Sequence, residues 1–238
     1  MRNRLWKIIN LLVIILVVFT FYFNRTVEVK SIDNNKTVII DKIDNKSKDI
    51  NIKELRKQYH NNDIMAYIEI PGVTKSMVLQ SSNNDYYLNH AFDKSTNGGG
   101  WVFLDYRNNL SNNERNTIIY GHGRQNKTIF GTLKDTLKES WLNNKDNHII
   151  KLSTEYENTL WQVFSVYRIP TTNDYIQVEF SGDEEYLNLL TNLKTRSIYD
   201  FNTEINATDR IITLSTCYND DDKVVIHAKL IKKEAKEN

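Results

Sequence analysis

Arg210-Ile-Ile-Thr-Leu-Ser-Thr-Cys217 and, beyond the acidic turn Asn219-Asp-Asp-Asp222, Lys223-Val-Val-Ile-His-Ala-Lys-Leu-Ile231 are the two runs whose reading decides the fold. Both lack Gly and Pro and are bounded by polar residues, so they read as the last two strands of a sheet. Working outward, Met65-Ala-Tyr-Ile-Glu-Ile70 alternates and stops at the turn Pro71-Gly72, and Lys75 to Gln80 resumes as a strand. Trp101–Leu104, Thr117–Tyr120, Ile149–Leu152, Leu160–Tyr167 and Ile176–Phe180 give further strand signals. Helices are few. Ile52–Tyr59 and Asn84–His90 are short, and Ser181-Gly-Asp-Glu184 reads as a capping box. It opens a helix whose Tyr186, Leu189, Leu190 and Leu193 form one core-facing stripe. About eight short strands with peripheral helices predict a mainly β fold, a closed barrel with no free edge.

The amino terminus has a different character. Met1 to Lys7 carries Arg2, Arg4 and Lys7, and an apolar run follows from Ile8 to Phe23, broken only by Asn10 and Thr20. Extended back to Leu5, that run makes a helix of about 28 Å at ~1.5 Å per residue, close to the hydrocarbon thickness of a bilayer. It ends in bulky residues, Phe19-Thr-Phe-Tyr-Phe23, with no small-x-small cleavage site, so retention as a transmembrane anchor is the expectation. The basic residues put residues 1–7 in the cytoplasm and everything beyond 8–23 on the extracellular face. Residues 24–45 are polar, rich in Asn and Lys, and read as a stalk that holds a domain, 46–238, away from the cell membrane.

Composition narrows the function classes. Lys and Arg number 31 against 30 Asp and Glu, without a basic block, which argues against nucleic-acid binding. Only one cysteine is present, so no disulfide can form within the chain. An exported protein that keeps a lone thiol exposes it to oxidation, and Cys217 sits where a strand meets a polar loop, a place where scaffolds present reactive groups. A thiol needs a base or a cation beside it to act as a nucleophile near neutral pH. Of the five histidines, His60 and His90 fall at helix ends, His148 opens a strand, and His227 shares a strand face with Lys223 and Val225 and reads as a surface or half-buried residue. His122 differs. It follows a strand and lies between Gly121 and Gly123, which permit tight turns and keep the ring accessible.

Thr213-Leu-Ser-Thr-Cys217, with Asn116-Thr-Ile-Ile-Tyr-Gly-His122 upstream, resembles the sortases, membrane-anchored cysteine transpeptidases of Gram-positive bacteria. Asp85-Tyr-Tyr-Leu-Asn-His90, Trp101-Val-Phe-Leu-Asp-Tyr-Arg107, Ile129-Phe-Gly-Thr-Leu133 and the helix from Asp183 to Leu193 look like the class B subgroup, and the resemblance spans roughly Leu55 to Lys232. It implies a sortase-type eight-stranded β-barrel with an added helix before the strand that bears Cys217. It also implies that Cys217 is the nucleophile, attacking the Thr carbonyl of an Asn-Pro-x-Thr type sorting signal on surface proteins. His122 would be the acid and base that exchanges the leaving amine for an amine of a peptidoglycan precursor (lipid II) or of the cell wall. No metal or cofactor is implied. Asn84, Leu88, Ser215, Ile198 and Tyr199 would line the peptide groove.

The family's third catalytic position is an arginine at the start of the strand after the Cys loop, and here Lys223 stands there. An ammonium lacks the planar donor fork of a guanidinium. Lys223 then does the job less well, or another arginine moves in, or the enzyme is weak. Arg210 lies about 20 Å along the strand at ~3.3 Å per residue, which leaves Arg124 as the better rival. A hydrolytic cysteine peptidase or amidase, and a membrane-tethered β-domain with an inert thiol, are the other readings of the same Cys and His.

Overall fold

The computed structural model describes Phe19 and residues 50–123, 130–217, 219 and 221–236. Residues 1–49 and 50–238 form separate units, and the fold described below is that of the second. The expected anchor 8–23 and stalk 24–45 lie, Phe19 apart, outside the described residues, as does Arg124. Among the described residues no helix is long and apolar enough to cross a membrane.

Helix α1 (Ile52–Tyr59) starts where the Asn51 side chain accepts the Glu54 amide, and it ends at His60, whose positive φ of 50° supplies the left-handed cap. Strands β1 (Ile64–Ile70), β2 (Thr74–Leu79), β3 (Phe103–Leu104) and β4 (Asn116–Gly121) follow. A 3₁₀ stretch (Phe130–Leu137), the short α2 (Glu139–Leu142) and a second 3₁₀ turn lead to β5 (Ile149–Thr154) and the long β6 (Glu157–Pro170). The chain finishes with α3 (Asp183–Thr195), β7 (Ile211–Cys217) and β8 (Asp222–Ala235). The eight strands close into a barrel in the order β1-β2-β3-β4-β7-β8-β6-β5. Among the described residues, parallel pairing is confined to β2 with β3 and β4 with β7. Parallel neighbours cannot be joined by a hairpin, and the chain between β4 and β7 builds β5, β6 and α3.

Side-chain alternation divides the sheet into two apolar faces. Ile68, Ile119, Trp161, Ile212, Leu214 and Ile226 fill the barrel. The stripe Tyr186, Leu189, Leu190 and Leu193 packs α3 on the outside of the wall, against Phe164, Tyr167, Ile211 and Val225. Odd-numbered residues of β7 and β8 therefore face outward, and around α3 that outer face is as dry as the interior. Burying either face fully is worth ~1.5–3 kcal/mol per large apolar side chain.

Four expectations need correction. His227 is fully buried, because α3 and the segment before it cover its side of β8. Ile176–Phe180 joins no sheet ladder. The carbonyls there are taken by side chains instead: Arg107 donates to Ile176 and Asn116 donates to Gln177. The α3 cap uses Glu185, not Glu184: the Ser181 amide and hydroxyl both donate to the Glu185 carboxylate. Asn84–His90 contracts to a single 3₁₀ turn, Tyr86–Leu88.

Candidate active site

The register of three strands assembles the site. In the parallel β4–β7 pair Tyr120 lies beside Ser215 and Gly121 beside Thr216, so His122 emerges next to Cys217. In the antiparallel β7–β8 pair Cys217 lies directly opposite Lys223. Lys223 Nζ donates to Cys217 Sγ at 2.9 Å. The short reach reflects the cross-strand pairing, which sets Cβ atoms only ~4.5–5.5 Å apart. Cys217 is half-buried, open enough for a substrate and shielded enough for its contacts to matter.

His122 is held by its Nε2, which donates to the Leu88 carbonyl at 2.9 Å. A carbonyl can only accept, so Nε2 keeps its proton and Nδ1 is the nitrogen that gains or loses one. Gly123 serves a purpose that accessibility alone does not explain. A Cβ there would stand 1.7 Å from the Cys217 carbonyl oxygen, so only glycine lets the His122 loop approach the nucleophile's backbone. The Thr216 hydroxyl adds a bond to the Gly121 carbonyl at 2.8 Å, tying the two strand ends together.

These groups line one cleft of about 280 Å³. Asn84, Leu88 and Ser215 line it as well. The Ser215 hydroxyl is paired with the Tyr175 hydroxyl at 2.9 Å. Burial, with a smaller contribution from Cys217, pushes the Tyr175 phenol up and keeps it a neutral hydrogen-bonding group. Ile198 and Tyr199 are not part of this lining. They border a separate groove with Phe164 and Ile205, because the Ile198 amide is bonded to the Val166 carbonyl of β6 and the Tyr199 ring packs on Phe201. The cleft instead takes Tyr175, Ile176 and residues 171–173, none of which the sequence pattern marks as lining. That stretch has no periodicity. Its one signal is an aromatic next to an isoleucine between two polar loops.

The remaining candidates fall into place. Arg210 is bound to Glu114 and Asn113 at the far end of β7 and does not approach Cys217. His90 stacks on Tyr86, and His148 is buried and bonded to the Leu142 carbonyl. His60 is a helix cap. At the start of β8, Arg168 Nε donates to the Asp222 carboxylate at 2.8 Å. Among the described residues no cluster of His, Cys, Asp and Glu could hold a metal ion.

A cysteine, a histidine and a cation thus meet in one cleft at the adjoining ends of β4, β7 and β8. The family model described as the sortase domain matches residues 68–231. The chain belongs to the sortase family. It is 33% identical to sortase B of Staphylococcus aureus over 98% of each chain. Among solved structures, a sortase B complexed with triglycine superposes with a TM-score of 0.70 at 35% identity, covering 76% of this chain and 85% of that one. The Staphylococcus aureus sortase B–substrate complex gives a TM-score of 0.70 at 35% identity, covering 76% and 84%. The protein is a class B sortase-type cysteine transpeptidase, and its barrel is the sortase barrel.

Proposed function

We propose that this sortase cleaves a C-terminal sorting signal of Asn-Pro-x-Thr type after the Thr and joins the released protein to an amine of lipid II or of the cell wall. The observation that carries the reading is the Lys223 to Cys217 hydrogen bond inside the cleft that also holds His122. His122 Nδ1 takes the Cys217 thiol proton, the thiolate attacks the Thr carbonyl, and the carbonyl oxygen gains negative charge. The Lys223 ammonium has three donors, so it can hold sulfur before attack and turn a hydrogen toward the oxyanion afterwards. His122 hands a proton to the departing amine, the C–N bond breaks, and a thioacyl enzyme remains. The incoming amine then loses a proton to His122, its nitrogen bonds the acyl carbon, and the thiolate leaves. Asn84, Leu88 and Ser215 line the peptide's path. The basic start and apolar run of residues 1–23 support a single-pass anchor in the cell membrane, with the barrel on the extracellular face.

The test is to incubate the full chain, purified in detergent, with a panel of sorting-signal peptides and triglycine, and to follow products by mass spectrometry. New amide products that vanish in Cys217→Ala support the proposal. Hydrolysis alone, with or without triglycine, would replace it with a peptidase. A preference for peptides lacking the Asn-Pro-x-Thr pattern would reject the proposed signal.

A further inference from the structure

Asp105, just past β3, is completely buried yet charged. Its Oδ1 accepts from Arg107 Nε at 2.8 Å and from the Arg107 amide at 3.0 Å. Its Oδ2 accepts from Arg107 Nη2 at 2.7 Å, from the Tyr120 hydroxyl at 2.9 Å and from Asn84 Nδ2 at 3.1 Å. Burial alone would push this carboxyl up, but the bonds from Arg107 and Tyr120 outweigh it and hold the group below the usual carboxylate range. Two of the donors, Tyr120 and Asn84, line the Cys217 cleft. The same Arg107 Nη2 reaches further and donates to the Ile176 carbonyl at 3.0 Å. Ile176 lines the cleft from a segment that no strand ladder holds. Asn84 Oδ1 is taken by the Tyr106 amide at 3.0 Å and one Nδ2 hydrogen goes to Asp105, so the second Nδ2 hydrogen is the one its amide can offer a ligand.

We infer that Asp105 and Arg107 act as positioning residues, a clasp that fixes two separate segments of the cleft lining relative to each other. A buried ion pair is a poor way to gain stability, since desolvation offsets most of its attraction. Here the pair's bonds end on three groups of the cleft, so beyond any stability it adds the pair fixes their geometry. The inference rests on the reading that the sorting peptide lies in this cleft.

Because Asp105 is wholly enclosed, a substitution there would mix folding with positioning. Arg107 is the better probe: its side chain is 34% exposed, and Arg107→Met keeps the aliphatic stem while removing the donors. Peptide exchange kinetics of the full chain with triglycine are measured beside amide hydrogen exchange. Arg107→Met should raise the peptide KM roughly tenfold with kcat within about twofold. Amides of residues 171–180 should exchange faster while those of β7 and β8 keep their protection, and Arg107→Lys should recover part of the KM. An unchanged KM overturns the clasp. So does unchanged exchange at 171–180, or an equal loss of protection in β7 and β8, which would mark Arg107 as merely structural. If the unmodified chain turned over no peptide, the cleft reading would fail, and the exchange comparison would still decide whether the clasp exists.

Discussion

His122 and His227 belong to the same patch of sheet, one at the end of β4 and the other midway along β8, and their surroundings differ in every respect that matters for chemistry. His227 is sealed under α3 and fully satisfied. The Tyr167 hydroxyl meets its Nε2 at 2.8 Å and the Thr213 hydroxyl meets its Nδ1 at 2.9 Å. Thr213 passes its own proton to Asn116 Oδ1 at 2.7 Å, so its oxygen accepts from His227 Nδ1–H. Full burial keeps the ring neutral, which leaves Nε2 an acceptor for the Tyr167 hydroxyl. Burial first, then the nearby Arg196 charge, pushes its pKa down to about 3. His122 is partly exposed and shares a cleft with a thiol and an ammonium. A histidine whose two nitrogens are both spoken for in a dry site holds structure, whereas one with a nitrogen to spare beside a nucleophile can move protons.

The comparison breaks most sharply at the site itself. Cys217→Ala and His122→Ala should each lower transpeptidation by at least about a thousandfold, since each removes a group that touches the reacting atoms. Both variants should keep the thermal midpoint of the unmodified chain within a few degrees. His227→Gln should do the reverse, lowering the midpoint while the folded fraction retains kcat/KM. Activity lost along with His227, at full folding, would erase the distinction between the two regions.

Acid should separate them next. The folded pKa of His227 lies below its ordinary ~6.5, so the unfolded chain binds the extra proton and stability rises with pH across that gap. The contribution is complete above about pH 6.5 and is lost progressively as pH falls toward 3, to a limit of ~5 kcal/mol. Urea unfolding at successive pH values should show this slope, and His227→Gln should flatten it between about pH 6.5 and 4. Asp105 has the other sign of charge but the same direction of loss. Its depressed carboxyl stabilises above about pH 4 and fails below it, so that part of the curve should survive in the His227 variant.

Lys223 sharpens the reactive side. Lys223→Ala should lower kcat/KM by about a hundredfold, or ~2.7 kcal/mol of transition-state stabilisation, while Lys223→Arg preserves or raises it. Unchanged turnover in Lys223→Ala would remove it from the site and send attention to Arg124.

How much of this the sequence reveals follows from the range of the interactions involved. The places of Cys217, His122 and Lys223 at strand ends are legible because strands with their turns are local patterns, while the role expected of Lys223 comes only from the family resemblance. The closed barrel is legible for the same reason. Ile198 and Tyr199 are expected beside Cys217, yet Tyr175 and Ile176 line the Cys217 cleft and they do not, because the segment that carries Tyr175 and Ile176 is placed by side chains of Arg107 and Asn116, far away in sequence. No periodicity records such bonds. His227 did leave a trace: Val224-Val-Ile226 and Ala228 around it make a nearly continuous apolar run, the mark of a strand covered on both faces. The two-residue alternation captured only one of those faces.

The smallest effect probes one hydroxyl in the silent region. Tyr167→Phe keeps the ring over which Arg196 lies and removes the hydroxyl, which donates to His227 and accepts from Arg196. The buried Nε2 would then have no donor, and an unsatisfied buried acceptor costs ~1–3 kcal/mol. The loss should depend on the partner: in a His227→Phe background, where no acceptor remains, the same substitution should cost far less. Peptide exchange by the folded enzyme should not respond in either background, because the chain from Tyr167 through His227 and Thr213 reaches the cleft only through Asn116, whose bonds to the Tyr175 and Gln177 carbonyls the substitution leaves in place. A double-mutant cycle by urea unfolding, run beside kcat/KM, reads both quantities. A coupling energy near zero would mean that Tyr167 and His227 are neighbours without being partners. A change in kcat/KM would mean that the two regions communicate after all.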